Sequence, residues 1–187
     1  SNKIQPVQMQ LEEGRANGIF DYEEQYYQDI AELKALEKKN PYFYQIQNEN
    51  IYLTYDGHKT YVKANLKRPL SLEKEYRLED GMYQISDKVT ILADSEQIYY
   101  SDTKDGVFRE IFLPVEEPIV YVHFVNEKIG YVFTMSGSAL GGVIGIRILK
   151  TEDGGKNFIT IPNNLGAIHN SSSFVIMKEN IIFITDI

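Results

Sequence analysis

The chain has 187 residues, 43% hydrophobic and 25% charged, with a net charge of −8 and an isoelectric point near 4.9. That is the composition of a folded domain with its own core, and an acidic surface repels phosphate backbones, which argues against a nucleic-acid partner. The absence of cysteine excludes disulfides, thiolate metal sites and a cysteine nucleophile, and no apolar run approaches the roughly 18 residues that a membrane helix needs.

Residues 1–18 are polar, contain Gly14 and Gly18, show no clear period, and read as a flexible lead-in. The opening Ser1-Asn2, without Met, resembles what tag removal leaves and suggests that a signal or lipid-anchor segment was trimmed. An extracellular or cell-envelope location is expected on that ground, with the cytoplasm as the alternative.

Residues 19–40 carry a helical pattern. Asp21 and Glu24 have the spacing of a capping box, in which two side chains satisfy orphan backbone N–H groups. Tyr26, Ile30, Leu33 and Leu36 then fall on one helix face. Glu23 and Glu24 near the start and Lys38-Lys39 near the end suit the helix dipole, and Asn40-Pro41 ends the element.

From residue 41 to 187 the pattern is β. The 14 Tyr and 9 Phe, with no Trp, favour sheet. Short apolar runs bounded by turn residues predict strands at 42–46, 51–55, 61–64, 81–85, 89–93, 98–101, 108–113, 119–125, 130–135, 143–150, 158–161, 174–177 and 181–185. Asn65–Asp80, with Arg68-Pro69 and alternating charge, reads as a long surface connection.

Three turn segments repeat within this region: Thr54–Tyr61, Ser101–Phe108 and Thr151–Phe158. Asp56, Asp105 and Asp153 lie 49 and 48 residues apart. Each segment has a hydroxyl residue (Thr54, Ser101, Thr151), then Asp-Gly, then an aromatic (Tyr61, Phe108, Phe158) opening the next strand. Glycine supplies positive φ without steric cost, Asp accepts bonds from the turn's own N–H groups, and the ring covers the hairpin. A period in the forties with short strands is that of a propeller blade.

The third copy, with the runs Phe124–Val132 and Ile148–Lys150 around it, resembles the BNR or Asp-box repeat, Ser/Thr-x-Asp-x-Gly-x-Thr-Trp/Phe. That repeat is found in sialidases, sortilin-type receptors and photosystem-assembly-factor-like propellers. Thr151, Asp153, Gly155 and Phe158 match, and Asn157 replaces Thr. The first copy keeps Thr54, Asp56, Thr60 and Tyr61, with His58 in the glycine position. The second keeps Ser101, Asp105, Gly106 and Phe108, with Val107 at the Thr position. Over residues 42–187 the resemblance implies a mainly β fold of propeller-like blades preceded by one helix, with the boxes as structural clasps rather than a catalytic site. Three blades are fewer than the roughly four to eight of a propeller. A partial propeller is therefore expected: a fragment of a longer protein, or a chain with a part missing, or one completed by another chain.

Chemistry-bearing groups are scattered. A sialidase would need an arginine triad, and the five arginines are Arg15, Arg68, Arg77, Arg109 and Arg147; Leu66–Pro69 only partly resembles the Arg-Ile-Pro segment. His58, His123 and His169 show no metal-binding spacing, and Asp102–Gly106 lacks the alternating oxygens of a calcium loop. Gly137–Gly142 has no following Lys-Ser/Thr and reads as a hairpin tip. No catalytic residue, metal or cofactor is assigned. A non-catalytic binding or scaffold module recognising a glycan or a protein at a bacterial envelope is expected, with tyrosines and rim loops such as 136–145 as contact surface. The alternative is a sialidase-like glycoside hydrolase fragment. Exposed sheet ends further predict self-association.

Overall fold

A computed structural model describes residues 27–28, 30–32, 34–35, 38–72, 77–138, 143–162, 172–176 and 182–186. The chain divides into two compact units, Ser1–Pro41 and Tyr42–Ile187. In the first unit every described residue from Tyr27 to Lys39 is helical. Ile30 is half-buried while the other described helical residues are exposed, so the helix has a sided pattern. Asp21, Glu24, Tyr26, Leu33 and Leu36 lie outside the described residues.

The second unit is mainly β. A first sheet is a meander of β1 (Phe43–Gln47), β2 (Asn50–Thr54) and β3 (Val62–Lys63). A second is a four-stranded meander of β4 (Tyr83–Ile85), β5 (Thr90–Ala93), β6 (Ile98–Ser101) and β7 (Arg109–Ile111). A third contains β8 (Ile119–Phe124), β9 (Gly130–Ser138), β10 (Val143–Thr151) and β11 (Ile159–Ile161) in the same order. Finally β12 (Ser172–Ile176) and β13 (Ile182–Asp186) form a hairpin. All neighbouring strands are antiparallel and consecutive in sequence. Among the described residues these sheets do not close into a barrel.

Local chemistry sets the hairpins. Asn48 and Glu49 both take positive φ, 49° and 62°, as a two-residue turn with the strands' own twist requires. Asp94 accepts Glu96 N and Gln97 N at 2.9 Å between β5 and β6. Asn126 does the same for Lys128 N and Ile129 N between β8 and β9.

The middle sheet is buried on both faces. Ile91, Ala93, Ile98 and Tyr100 join Val122, Phe124, Val132 and Leu149 of the third sheet in one cluster, whereas Leu92 and Tyr99 alternate to the opposite face. Tyr131, Phe133, Ile146 and Ile148 make a second cluster on the far face of the third sheet. Burying a side chain such as Phe133 contributes about 1.5–3 kcal/mol. Polar side chains stitch neighbouring sheets: the Gln84 amide donates to Phe124 O at 2.8 Å and accepts Phe124 N at 2.9 Å. Tyr55 and Thr90 share a 3.0 Å hydroxyl bond, and Tyr44 stands edge-on to Tyr83.

The connection 65–80 is less superficial than its charge pattern suggests. Leu70 and Leu78 are buried, Leu78 N donates to Tyr44 OH at 3.2 Å, and Arg68 N donates to Tyr99 OH at 2.9 Å. Two leucines spaced far apart in a charged stretch give no periodic signal, so sequence reading misses the anchor.

Candidate functional site

Two of the three repeated turns are held by the same bonds. After β2, Thr54 Oγ1 donates to Asp56 Oδ1 and accepts His58 N, each at 3.0 Å. Asp56 Oδ1 accepts Lys59 N and Thr60 N at 3.0 Å, and Oδ2 accepts the Thr60 hydroxyl at 2.6 Å. After β10, Thr151 Oγ1 donates to Asp153 Oδ1 at 2.9 Å and accepts Gly155 N at 2.8 Å. Asp153 Oδ1 accepts Lys156 N and Asn157 N, and Oδ2 accepts the Asn157 amide at 2.7 Å. Asn157 thus does with its amide what Thr60 does with its hydroxyl, which is why the Thr position admits Asn.

These bonds to the charged form, foremost those from the Thr60 and Asn157 side chains, hold both carboxyls down to about 2 from an ordinary 3.8. Each turn also contains two successive left-handed residues, Gly57 and His58 in one and Gly154 and Gly155 in the other. His58 bears the strain that glycine avoids, and its Nδ1 lies 2.8 Å from Tyr61 OH.

The second turn is built differently. Aligned on the strand ends Thr54, Ser101 and Thr151, it places Thr103 rather than Asp105 where Asp56 and Asp153 stand. Asp105 Oδ1 accepts Thr103 Oγ1 at 2.5 Å and Val107 N at 3.0 Å, and Gly106 supplies the positive φ of 80°. Matching by the Asp-Gly pair is therefore two residues out at this copy. Ser101 Oγ accepts Thr103 N at 3.3 Å, as Thr151 Oγ1 accepts Asp153 N at the same distance. The three aromatics Tyr61, Phe108 and Phe158 are all half-buried, and Phe158 packs on the cluster between the second and third sheets.

Away from the turns, an open cleft of about 560 Å³ is lined by Arg68, Glu96, Glu110, Phe112, Glu116 and Glu117 among others. Phe112 is 71% exposed. The Glu110 carboxylate accepts Arg68 Nη2 at 2.7 Å, and Glu117 accepts Arg147 through two nitrogens and Thr134 Oγ1 at 2.6 Å. Arg147 holds the Glu117 carboxyl below its ordinary value. Sequence reading missed this cleft because its residues come from three separate segments. Phe112 lies within the apolar run Ile111–Leu113, which reads as strand interior and not as an exposed ring.

Two of the described arginines serve the cleft carboxylates and two lie elsewhere. Arg68 meets Glu110, Arg77 meets Asp80 at 2.8 Å, Arg147 meets Glu117, and Arg109 donates to Gly154 O with its guanidinium 4.0 Å from the Tyr100 ring centre. Arg15 and His169 lie outside the described residues. His123 sits half-buried in β8, where burial lowers its pKa. Among the described residues no three His, Asp or Glu side chains come together as a metal site would require. No described helix is long and apolar enough to cross a membrane. The glycine-rich tip is shorter than a ten-residue rim loop, because β9 and β10 stay paired out to Ser138↔Val143; residues 139–142 lie outside the described residues.

Fold and turns together define a mainly β protein of consecutive antiparallel meanders with aspartate-clasped hairpins. Comparison with protein-family profiles and with curated proteins finds no match to this chain.

Proposed function

We propose that the chain is a non-catalytic recognition or scaffold module whose meanders are blades of a partial propeller of Asp-box type, working outside the cell or at a bacterial envelope. The identical bonding at Asp56 and Asp153 supports the repeat reading, and consecutive four-stranded meanders support the blades. Recognition rests on one observation: Phe112, exposed at the rim of an open cleft whose most enclosed carboxylates, Glu110 and Glu117, are both engaged by arginine. Paired carboxylates position the walls, and an exposed ring offers a face for a sugar or an apolar side chain. Each of the four described arginines is already engaged by a carboxylate or a carbonyl of the protein itself, which speaks for binding over the sialidase-like alternative.

A glycan array and a pull-down from envelope extracts, run with the wild type and with Phe112→Ala, test the reading. The captured ligand should bind the variant at least about tenfold more weakly, with melting temperature unchanged. Equal binding by both proteins would remove the cleft from the reading. Turnover of a sialoside abolished by Glu110→Gln or Glu117→Gln would replace recognition with catalysis.

A further inference from the structure

The cleft beside Phe112 continues past the β5–β6 turn. A second hollow of about 510 Å³, lined by Ser71, Leu72, Glu79, Asp80, Asp94 and Ser95, adjoins it, and Ser95 lines both. Among the described lining residues of the two hollows Arg68 is the one cation. Several of the carboxylates are answered from within the protein. Glu110 accepts Arg68 and lies 3.7 Å from Lys67, Glu117 accepts Arg147, and Asp80 accepts Arg77. Asp94 accepts the backbone N–H groups of Ser71, Glu96 and Gln97 and the Gln97 amide. Glu96 and Glu116 differ: both side chains are exposed, and neither takes a hydrogen bond or ion pair from a described residue.

The cleft therefore offers two unanswered negative charges together with a bare aromatic ring. A lysine or arginine side chain suits that combination, because its apolar stem packs on apolar surface, its head pairs with a carboxylate, and a cation is also drawn to an aromatic face. A neutral sugar leaves both charges without a counter-charge, and an acidic glycan is repelled by them. The net charge of −8 acts in the same direction at longer range, raising the encounter rate with a basic partner.

We propose that the partner recognised at Phe112 is a protein segment carrying lysine or arginine beside an apolar residue, the apolar residue on the ring and the cation answered by Glu96 and Glu116. The inference rests on the recognition reading above and narrows its ligand to one class. A segment fits better than a small amine, because two hollows that share Ser95 give room to neighbouring side chains and the ring gives an apolar one its contact.

The chain has no tryptophan, so a peptide that carries one reports binding through its own fluorescence. The probe is an acetylated, amidated peptide of alternating lysine and alanine around a central tryptophan, and its counterpart has glutamate for every lysine. The lysine peptide should bind the wild type and weaken as salt screens the charges, and the glutamate peptide should not bind. Glu96→Gln combined with Glu116→Gln should weaken binding by about fivefold or more, with melting temperature unchanged. Glu49→Gln combined with Asp102→Asn makes the same change of charge at exposed positions outside both hollows and should bind as the wild type does. A lysine peptide that binds no better than the glutamate peptide would overturn the proposal. Equal weakening by the two pairs of substitutions, or spermine bound as tightly as the peptide, would overturn it too. Phe112→Ala separates this proposal from the reading beneath it. A ligand lost with Phe112→Ala but kept with Glu96→Gln and Glu116→Gln would overturn the basic partner and leave recognition standing, whereas peptide binding untouched by Phe112→Ala would overturn both.

Discussion

Asp56 and Asp153 each gather two backbone N–H donors and one side-chain donor around a carboxylate that still faces water. Their exposure limits what the charge alone contributes, so the turn is held mainly by satisfied donors. The direction of the pH response follows from the depressed pKa. Folded carboxyls near 2 against an ordinary 3.8 stabilise the native state above about pH 4, and that contribution is lost as pH falls through the folded value. Asp105, lowered foremost by its bond from Thr103, and Glu117, lowered foremost by Arg147, act in the same direction. Thermal melts should therefore fall steeply between about pH 4 and pH 2. Asp153→Asn should melt lower than wild type at pH 7 and show a shallower fall across the acid range, since an amide keeps an acceptor oxygen but cannot titrate. Parallel curves for the two proteins would remove this carboxylate from the acid response.

At the scale of elements, the strands were legible because each is a short apolar run closed by turn chemistry. Ile98–Ser101 is the same in sequence pattern and structure, and β5, between Ser86-Asp87 and Asp94, differs by one residue at its start. Such boundaries are local. The second turn was not legible, because Asp105-Gly106 has the right pair of residues at the wrong distance from the strand end, and bonding geometry depends on that distance. Nor was the cleft, which needs Arg68, Glu96 and Phe112 brought together by the tertiary fold. The glycines of the turns test how much of each turn's identity is local and how much is packing. Gly155→Ala combines a positive φ with a collision against Ile111, and should cost about 2–4 kcal/mol. Gly57→Ala shares the backbone penalty alone and should cost about 1–2 kcal/mol. Urea denaturation of the two variants checks the order, and a Gly57→Ala variant as unstable as Gly155→Ala would mean that backbone strain, not neighbouring sheets, explains the glycines.

Across the whole second unit, the decisive feature is that the middle and third sheets do not own separate cores. Phe124 is 1% exposed, its ring stands 5.4 Å from Tyr100 of the neighbouring sheet, and its backbone is bracketed by Gln84. On its own sheet the same ring lies under Gly130, where a Cβ would come within 2.7 Å of it. A side chain shared this way couples the opening of the two sheets, because neither can leave without exposing the other's apolar face. Amides of β5 and β6 and those of β9 and β10 should consequently reach the same limiting exchange rate, whereas the exposed helix residues between Tyr27 and Lys39 should exchange far faster. Phe124→Ala should cost about 3–5 kcal/mol through lost burial and the cavity left behind. Hydrogen exchange followed by mass spectrometry on that variant should show protection falling equally in the two sheets. A loss confined to β8–β11, with β4–β7 keeping wild-type rates, would show instead that each meander opens as an independent unit and that the shared cluster is contact without cooperativity.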